Sequence, residues 1–179
     1  MSYSTNMLKP GFVHAINRLQ QVIATESFEM VMYTGYRPPE MQARLWRKSR
    51  SKAEITRKVE KYLERGQAFL ADILVSVGPQ FGELGKHVTM ACVGESWHQW
   101  GEAVDCYLEV DGKIDWSGAS IEWHRFGQIV MDVGLEWGGS WSPRFNEAGH
   151  FQYQDGSNPL KVMSKEDVAA RFFEYAKTV

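Results

Sequence analysis

Cysteine is scarce in this chain, with only Cys92 and Cys106 among 179 residues. Two thiols without CxxC spacing exclude a disulfide-stapled scaffold and a thiolate metal cluster, and each reads as a small buried apolar side chain. Long hydrophobic runs are also missing. No stretch approaches the roughly 20 apolar residues that cross a bilayer, so no stable membrane association is expected. The first residues, MSYSTNMLKPGFVHAINRLQQ, carry no charged start followed by an apolar run. The expectation is therefore synthesis in the cytosol without a signal peptide. Charge of one sign is not in excess: the formal net charge is −2, which offers no field for nucleic acid or an acidic membrane. No internal repeat, low-complexity tract or linker is apparent. What is present looks like an ordinary globular chain, 44% hydrophobic and 23% charged. Its length suits a single domain over residues 1–179 with a real core. Seven tryptophans and sixteen glycines stand out; indole rings beside bare backbone suit the walls of a polar groove, although tryptophan is also core material.

Periodicity predicts a helix over 11–25, with Phe12, Ala15, Ile16, Leu19, Val22 and Ile23 as its apolar stripe and Pro10 at its start. FEMVMYTGYR reads as a buried strand turning at Gly35. PPEMQARLWRKS reads as a helix with Met41, Leu45 and Trp46 as contacts. Residues 52–75 read as one further helix with a charged, solvated face, and 76–88 as a loop. VTMACVGESWHQWGEAVDCYLEV has strand-like ends around a Gly/Ser/His-rich middle. AVDCYLEV and DGKIDW form a hairpin around Asp111-Gly112. SIEWHRFGQIVMDVG is a helix ended by Gly134, with Ile121, Phe126, Ile129 and Val130 inward. LEWGGSW is a strand or turn and HFQY a short strand. SKEDVAARFFEYAKTV is a helix capped by Ser164, with Asp167 in its first turn. The sum is an α+β domain: helices packed on a small, mainly antiparallel sheet.

Chemistry concentrates in Ser96-Trp97-His98-Gln99-Trp100-Gly101-Glu102-Ala103-Val104-Asp105 and in Glu147-Ala148-Gly149-His150-Phe151-Gln152. Two imidazoles and a carboxylate, His98, Asp105 and His150, supply three ligands to one Zn2+ and leave a fourth position for water. They cancel one of the metal's two charges, so enough positive charge remains to make bound water a nucleophile near neutral pH. Glu147, three residues before His150, can accept the water's proton without ligating. Each residue alone has a plainer reading: a satisfied histidine, a strand-ending aspartate, a solvated loop glutamate. Their ordered combination among glycines and tryptophans favours the metal site. His87 and His124 are not expected to be ligands, and Glu136 ranks below Glu147 as the base.

SWHQWGEAVD fits the SxHxxGxAxD signature and resembles the D-alanyl-D-alanine carboxypeptidase and L-alanyl-D-glutamate endopeptidase family of zinc peptidases. That family includes phage endolysins and shares its fold with the hedgehog signalling domain. TGYRPPEMQARLW, GLEWGGSW and GHFQ resemble the endopeptidase branch, so the resemblance touches residues 34–152. It implies zinc held by His98, Asp105 and His150, and Glu147 as general base, where that branch often has Asp. It also implies that Arg37 of the GYR segment stabilises the oxyanion or holds substrate, which a fixed positive donor opposite a metal can do. Ser96 is a candidate substrate donor, with a turn-stabilising hydroxyl as the alternative. Trp97, Trp100, Trp137 and Trp141 are groove walls or core, one or two of them facing substrate, with Trp97 and Trp137 the favoured substrate contacts.

The resulting expectation is a monomeric zinc peptidase of peptidoglycan stem peptides. An L-alanyl-D-glutamate endopeptidase acting as a phage or prophage endolysin is favoured, reaching the wall after the membrane is holed. A D-alanyl-D-alanine carboxypeptidase and a secreted antibacterial effector stand as alternatives. A non-haem iron oxygenase also uses two histidines and a carboxylate. There one residue usually separates the first histidine from the carboxylate, whereas here six intervene. A binding module that keeps its metal only for folding is the third reading, and Glu147 argues against it.

Overall fold

The computed structural model describes residues 7–78, 85–142, 146–154, 156 and 158–178, with side chains described as far as 173. In chain order the elements are α1 (Pro10–Ile23), β1 (Phe28–Thr34), α2 (Pro39–Arg47), α3 (Lys52–Glu64), α4 (Ala68–Ser76), a 3-10 turn (Trp97–Trp100), β2 (Ala103–Val110), β3 (Lys113–Asp115), α5 (Ile121–Asp132), β4 (Glu136–Trp137), a second 3-10 turn (Gly138–Ser140), β5 (His150–Gln152), α6 (Pro159–Val162) and α7 (Lys165–Thr178). This is the α+β architecture that the periodicities predict. Two compact units contribute: Met1–Tyr36 with Trp100–Gly156, and Arg37–Gln99 with Ser157–Val179.

The first unit holds the sheet. All its pairings are antiparallel, in the order β1-β2-β5-β4, with β3 also paired to β2. β1 lies along nearly all of β2. β3 and β5 share the other edge of β2, β3 at Leu108–Val110 and β5 at Ala103–Asp105. Asp111 and Gly112 both have positive φ, 50° and 70°, as a two-residue hairpin turn requires, and so the predicted hairpin forms. Alternation along β2 sends Val104, Cys106 and Leu108 into the core and leaves Asp105, Tyr107 and Glu109 on the opposite face. α1 and α5 cover the core face with Phe12, Ile16, Leu19, Trp123, Phe126 and Ile129. Phe151 of β5 meets them there, with its ring centroid 6.1 Å from Phe12 and 6.0 Å from Phe126, both edge-on. Each such buried side chain contributes about 1.5–3 kcal/mol by leaving water. Two expected core members are not core: Val22 and Ile121 are exposed, because Ile23 and Trp123 already fill the inward positions of their helices.

The second unit is helical. Ser51 and Glu54 form a reciprocal capping box at the start of α3. The single helix expected over 52–75 is in fact two. Gly66 sits at φ +69°, its N–H bonds to the Leu63 carbonyl and that of Gln67 to the Tyr62 carbonyl, a two-bond C-terminal stop that frees α4 to set off in a new direction. α2 buries Trp46 as expected and Ala43 beside it, while Leu45 is half-buried, Met41 is exposed and Gln42 takes an inward place. The predicted Ser164 cap is present, its Oγ accepting from the Asp167 N–H at 3.0 Å. No strand forms at 88–92; that stretch is irregular up to the first 3-10 turn. The expected loop over 76–88 lies partly outside the described residues.

Candidate metal centre

Three local features bring the predicted ligands into place. The 3-10 turn Trp97–Trp100 carries His98 and leads through Gly101 directly into β2, where Asp105 is the third residue. Gly101 has φ +69°, and a Cβ there would stand 2.3 Å from the Met7 carbonyl oxygen. The glycine of the signature is therefore a backbone requirement at the mouth of the strand. β5 then sets His150 directly opposite Asp105 in the ladder, and alternation turns Phe151 to the core and His150 to Asp105's face. One potential ligand atom from each of His98, Asp105 and His150 lies within 4.8 Å of the others. Among the described residues this is the one such group of histidine, cysteine, aspartate or glutamate. Both histidines are buried, at 2% and 8% exposure.

The donor set fits a divalent cation. In a tetrahedral zinc shell with bonds of about 2.0–2.2 Å, neighbouring donor atoms stand roughly 3.3 Å apart, within reach of small side-chain rotations here. His150 makes the case more sharply. Its Nδ1 lies 3.0 Å from the Asp105 Oδ1 and its Nε2 3.0 Å from the Gln152 Oε1. Both partners are acceptors, yet a neutral imidazole carries one N–H. One contact therefore sets two lone pairs face to face unless a cation stands with them. Burial, the largest influence on His150, disfavours its charged form; the hydrogen bond and charge of Asp105, the Gln152 oxygen and the charge of Glu147 outweigh it, and the pKa is raised. The pocket is built for positive charge that a proton or a metal ion can supply.

Glu147 is exposed. Its N–H donates to the Gly138 carbonyl at 3.2 Å, and its own carbonyl accepts from the His150 N–H at 2.8 Å. A Cβ at Gly138 would stand 2.6 Å from that Glu147 carbonyl oxygen, so the WGG segment must be bare where the Glu147 loop crosses it. The Arg37 N–H donates to the His98 carbonyl at 3.1 Å, and its Nη1 donates to Gln42 Oε1 at 2.8 Å. Gln42 is itself fixed by donating to the Ala91 carbonyl at 2.6 Å. The Ser96 carbonyl accepts from Gln99 in the 3-10 turn.

Of the four candidate tryptophans three are buried and one stands beside His150. Trp137 belongs to the core cluster, its indole N–H bonded to the Ala148 carbonyl at 2.7 Å, and Trp97 and Trp100 are buried as well. Trp137 and Trp97 are therefore packing residues rather than groove walls. Trp141 takes the position beside the site, with its ring centroid 5.3 Å from that of His150. His87 and His124 are exposed and outside the cluster, as expected. Glu136, the rival to Glu147, is engaged by Gln152 and Trp141. Gln152 was not among the expected site residues, although period-two alternation in GHFQ puts it on the same face as His150.

Over 76 residues the chain is 36% identical to the peptidoglycan L-alanyl-D-glutamate endopeptidase CwlK of Bacillus subtilis (strain 168), a match covering 38% of this chain and 45% of the relative. The chain thus matches less than half the length of that curated relative. Among solved structures, the L-Ala D-Glu endopeptidase ChiX of Serratia marcescens is 15% identical, with 84% of this chain and 83% of that one covered and a TM-score of 0.46. The vancomycin-resistance D,D-pentapeptidase VanY in complex with Zn(II) is 18% identical, with 82% and 72% covered and a TM-score of 0.44. The family model described as VanY, D-alanyl-D-alanine carboxypeptidase, matches residues 5–138, a stretch that includes His98 and Asp105 and ends before His150. With three quarters of its length matched in this way, the chain belongs to the VanY D-alanyl-D-alanine carboxypeptidase family.

Proposed function

We propose that this chain is a zinc-dependent peptidase of peptidoglycan stem peptides, and within that class an L-alanyl-D-glutamate endopeptidase. The observation that carries the reading is the convergence of His98, Asp105 and His150 within 4.8 Å. A zinc ion at these residues supplies Lewis acidity to water and to the scissile carbonyl. The protein's own groups do the rest. Glu147, exposed three residues before His150, takes a proton from water and returns it to the leaving amine. Arg37, with its guanidinium tied to Gln42, provides positive charge for the oxyanion. Ser96 donates to the substrate backbone.

The endopeptidase choice is supported by the GYR, WGG and HFQ segments and by the CwlK likeness. The D-alanyl-D-alanine carboxypeptidase reading is supported by the description of the family. Digestion of purified peptidoglycan followed by mass measurement of the fragments separates them. New N-terminal D-glutamate is expected; loss of terminal D-alanine alone would reject the endopeptidase.

The biological role we propose is lysis by a phage or prophage endolysin. Cells expressing the chain internally should remain intact until their membrane is permeabilised and then lyse. A secreted antibacterial effector would instead be found outside intact producer cells.

A further inference from the structure

Behind His150 runs an ordered series of hydrogen bonds in which the catalytic scheme has no part. The Gln152 Nε2 donates to Glu136 Oε2 at 3.0 Å and to the Gln154 carbonyl at 2.6 Å. The Trp141 Nε1 donates to the other carboxylate oxygen of Glu136 at 2.5 Å. Glu136 and Gln152 face one another across the β4–β5 ladder. Gly156 leaves room for the carboxylate, since a Cβ there would stand 2.9 Å from Glu136 Oε1.

A carboxylate and a carbonyl only accept. Both partners of the Gln152 nitrogen are of that kind, so the amide has one permitted orientation, with Oε1 turned to His150. An oxygen 3.0 Å from Nε2 is satisfied only if that nitrogen bears the proton. The lone pair then falls on Nδ1, the nitrogen that faces Asp105.

We propose that Gln152, oriented by Glu136 and Trp141, is the positioning residue of this metal centre, fixing the ring and tautomer of His150 so that Nδ1 meets the cation. The inference rests on the reading of His150 as a metal ligand. It gives Glu136 a role distinct from that of a base: its charge holds an amide that holds an imidazole. Ligating histidines commonly need such a partner on the far nitrogen, and its loss typically weakens metal affinity 10–100-fold. A purely structural pair linking β4 to β5 would change stability and leave affinity alone.

The test is zinc affinity, measured by competition with a chromophoric chelator, for the wild type, Gln152→Met, Glu136→Gln and the double variant Glu136→Gln/Gln152→Glu. Thermal unfolding of each metal-free protein is measured alongside. Gln152→Met keeps the volume and removes the acceptor, so a 10–100-fold loss of affinity is expected in the folded protein, beside a lower metal-free unfolding temperature from the acceptors left at Glu136 and Gln154. Glu136→Gln lets the amide reverse and should weaken binding in the same direction, which covers the case in which Gln152→Met fails to fold. The double variant restores an acceptor toward Nε2 and a donor between positions 136 and 152, though not the bond to the Gln154 carbonyl, and should recover part of the loss. Nitrogen-15 shifts of the zinc-loaded wild type should show His150 protonated at Nε2. Unchanged affinity in Gln152→Met or Glu136→Gln, or zinc on Nε2, overturns the proposal alone. A wild type that takes up no zinc overturns it together with the metallopeptidase reading.

Discussion

The ring of His150 has an acceptor at each nitrogen, which makes protons and metal direct competitors for it. Its raised pKa sets the sign. In the metal-free protein the protonated ring's contribution to stability is fully present below the ordinary histidine pKa and is lost as pH rises through the raised one. Metal uptake runs the other way, because the ligand must shed its proton. Zinc affinity should therefore fall as pH drops below the raised pKa, by about tenfold per pH unit for one displaced proton. Calorimetry in buffers of different ionisation enthalpy should detect the released proton; affinity flat through this range would place the ligation elsewhere. The base role proposed for Glu147 concerns a different step. Glu147→Ala should retain zinc and lose about 10²–10⁴-fold in hydrolysis of stem peptides, read by fragment release. Undiminished hydrolysis would remove Glu147 from the base role.

At the scale of elements, the site depends on how one turn enters one strand. Gly101 joins the His98 turn to the Asp105 strand at a φ of +69° with the Met7 carbonyl against it. Gly101→Ala adds left-handed strain of about 1–2 kcal/mol and a steric clash on top. The expected result is a lower denaturation midpoint together with weaker zinc binding, because His98 and Asp105 flank the disturbed residue. Wild-type values for both would mean that the glycine is incidental. The α3–α4 break shows why element limits were hard to read. Residues 52–75 have continuous helical composition, and a single glycine decides the stop, its own N–H and that of Gln67 turning back to the Leu63 and Tyr62 carbonyls. Gly134 works in the same way at the end of α5, and there the following strand-like LEWGG made the stop visible.

Across the molecule, both thiols are sealed. Burial is the main reason the Cys92 pKa is pushed up to about 12, and burial likewise holds Cys106 far above the usual thiol range. Neither should react with iodoacetamide at neutral pH until the chain unfolds; mass spectrometry of the native protein checks this, and rapid native labelling would contradict the burial. Metal binding should be coupled to folding, since ligands from the 3-10 turn, β2 and β5 meet only in the native chain. Zinc at 100 times its dissociation constant should add about 2.7 kcal/mol to stability, and chelation should lower the unfolding temperature correspondingly.

By itself the sequence determined the hairpin, the Ser164 cap, the α+β class and the chain order of the candidate metal-binding residues, because these depend on local chemistry: side-chain identity, period-two alternation, turn residues with positive φ. The tertiary structure decided what distant segments do to one another. It placed Trp137 and Trp97 in packing and Trp141 beside His150. It set His150 opposite Asp105 across the ladder and drew Glu136 to Gln152. Pattern shows which face of a strand a side chain takes. Which partner stands there is decided only by strand register and by helices competing for the same core.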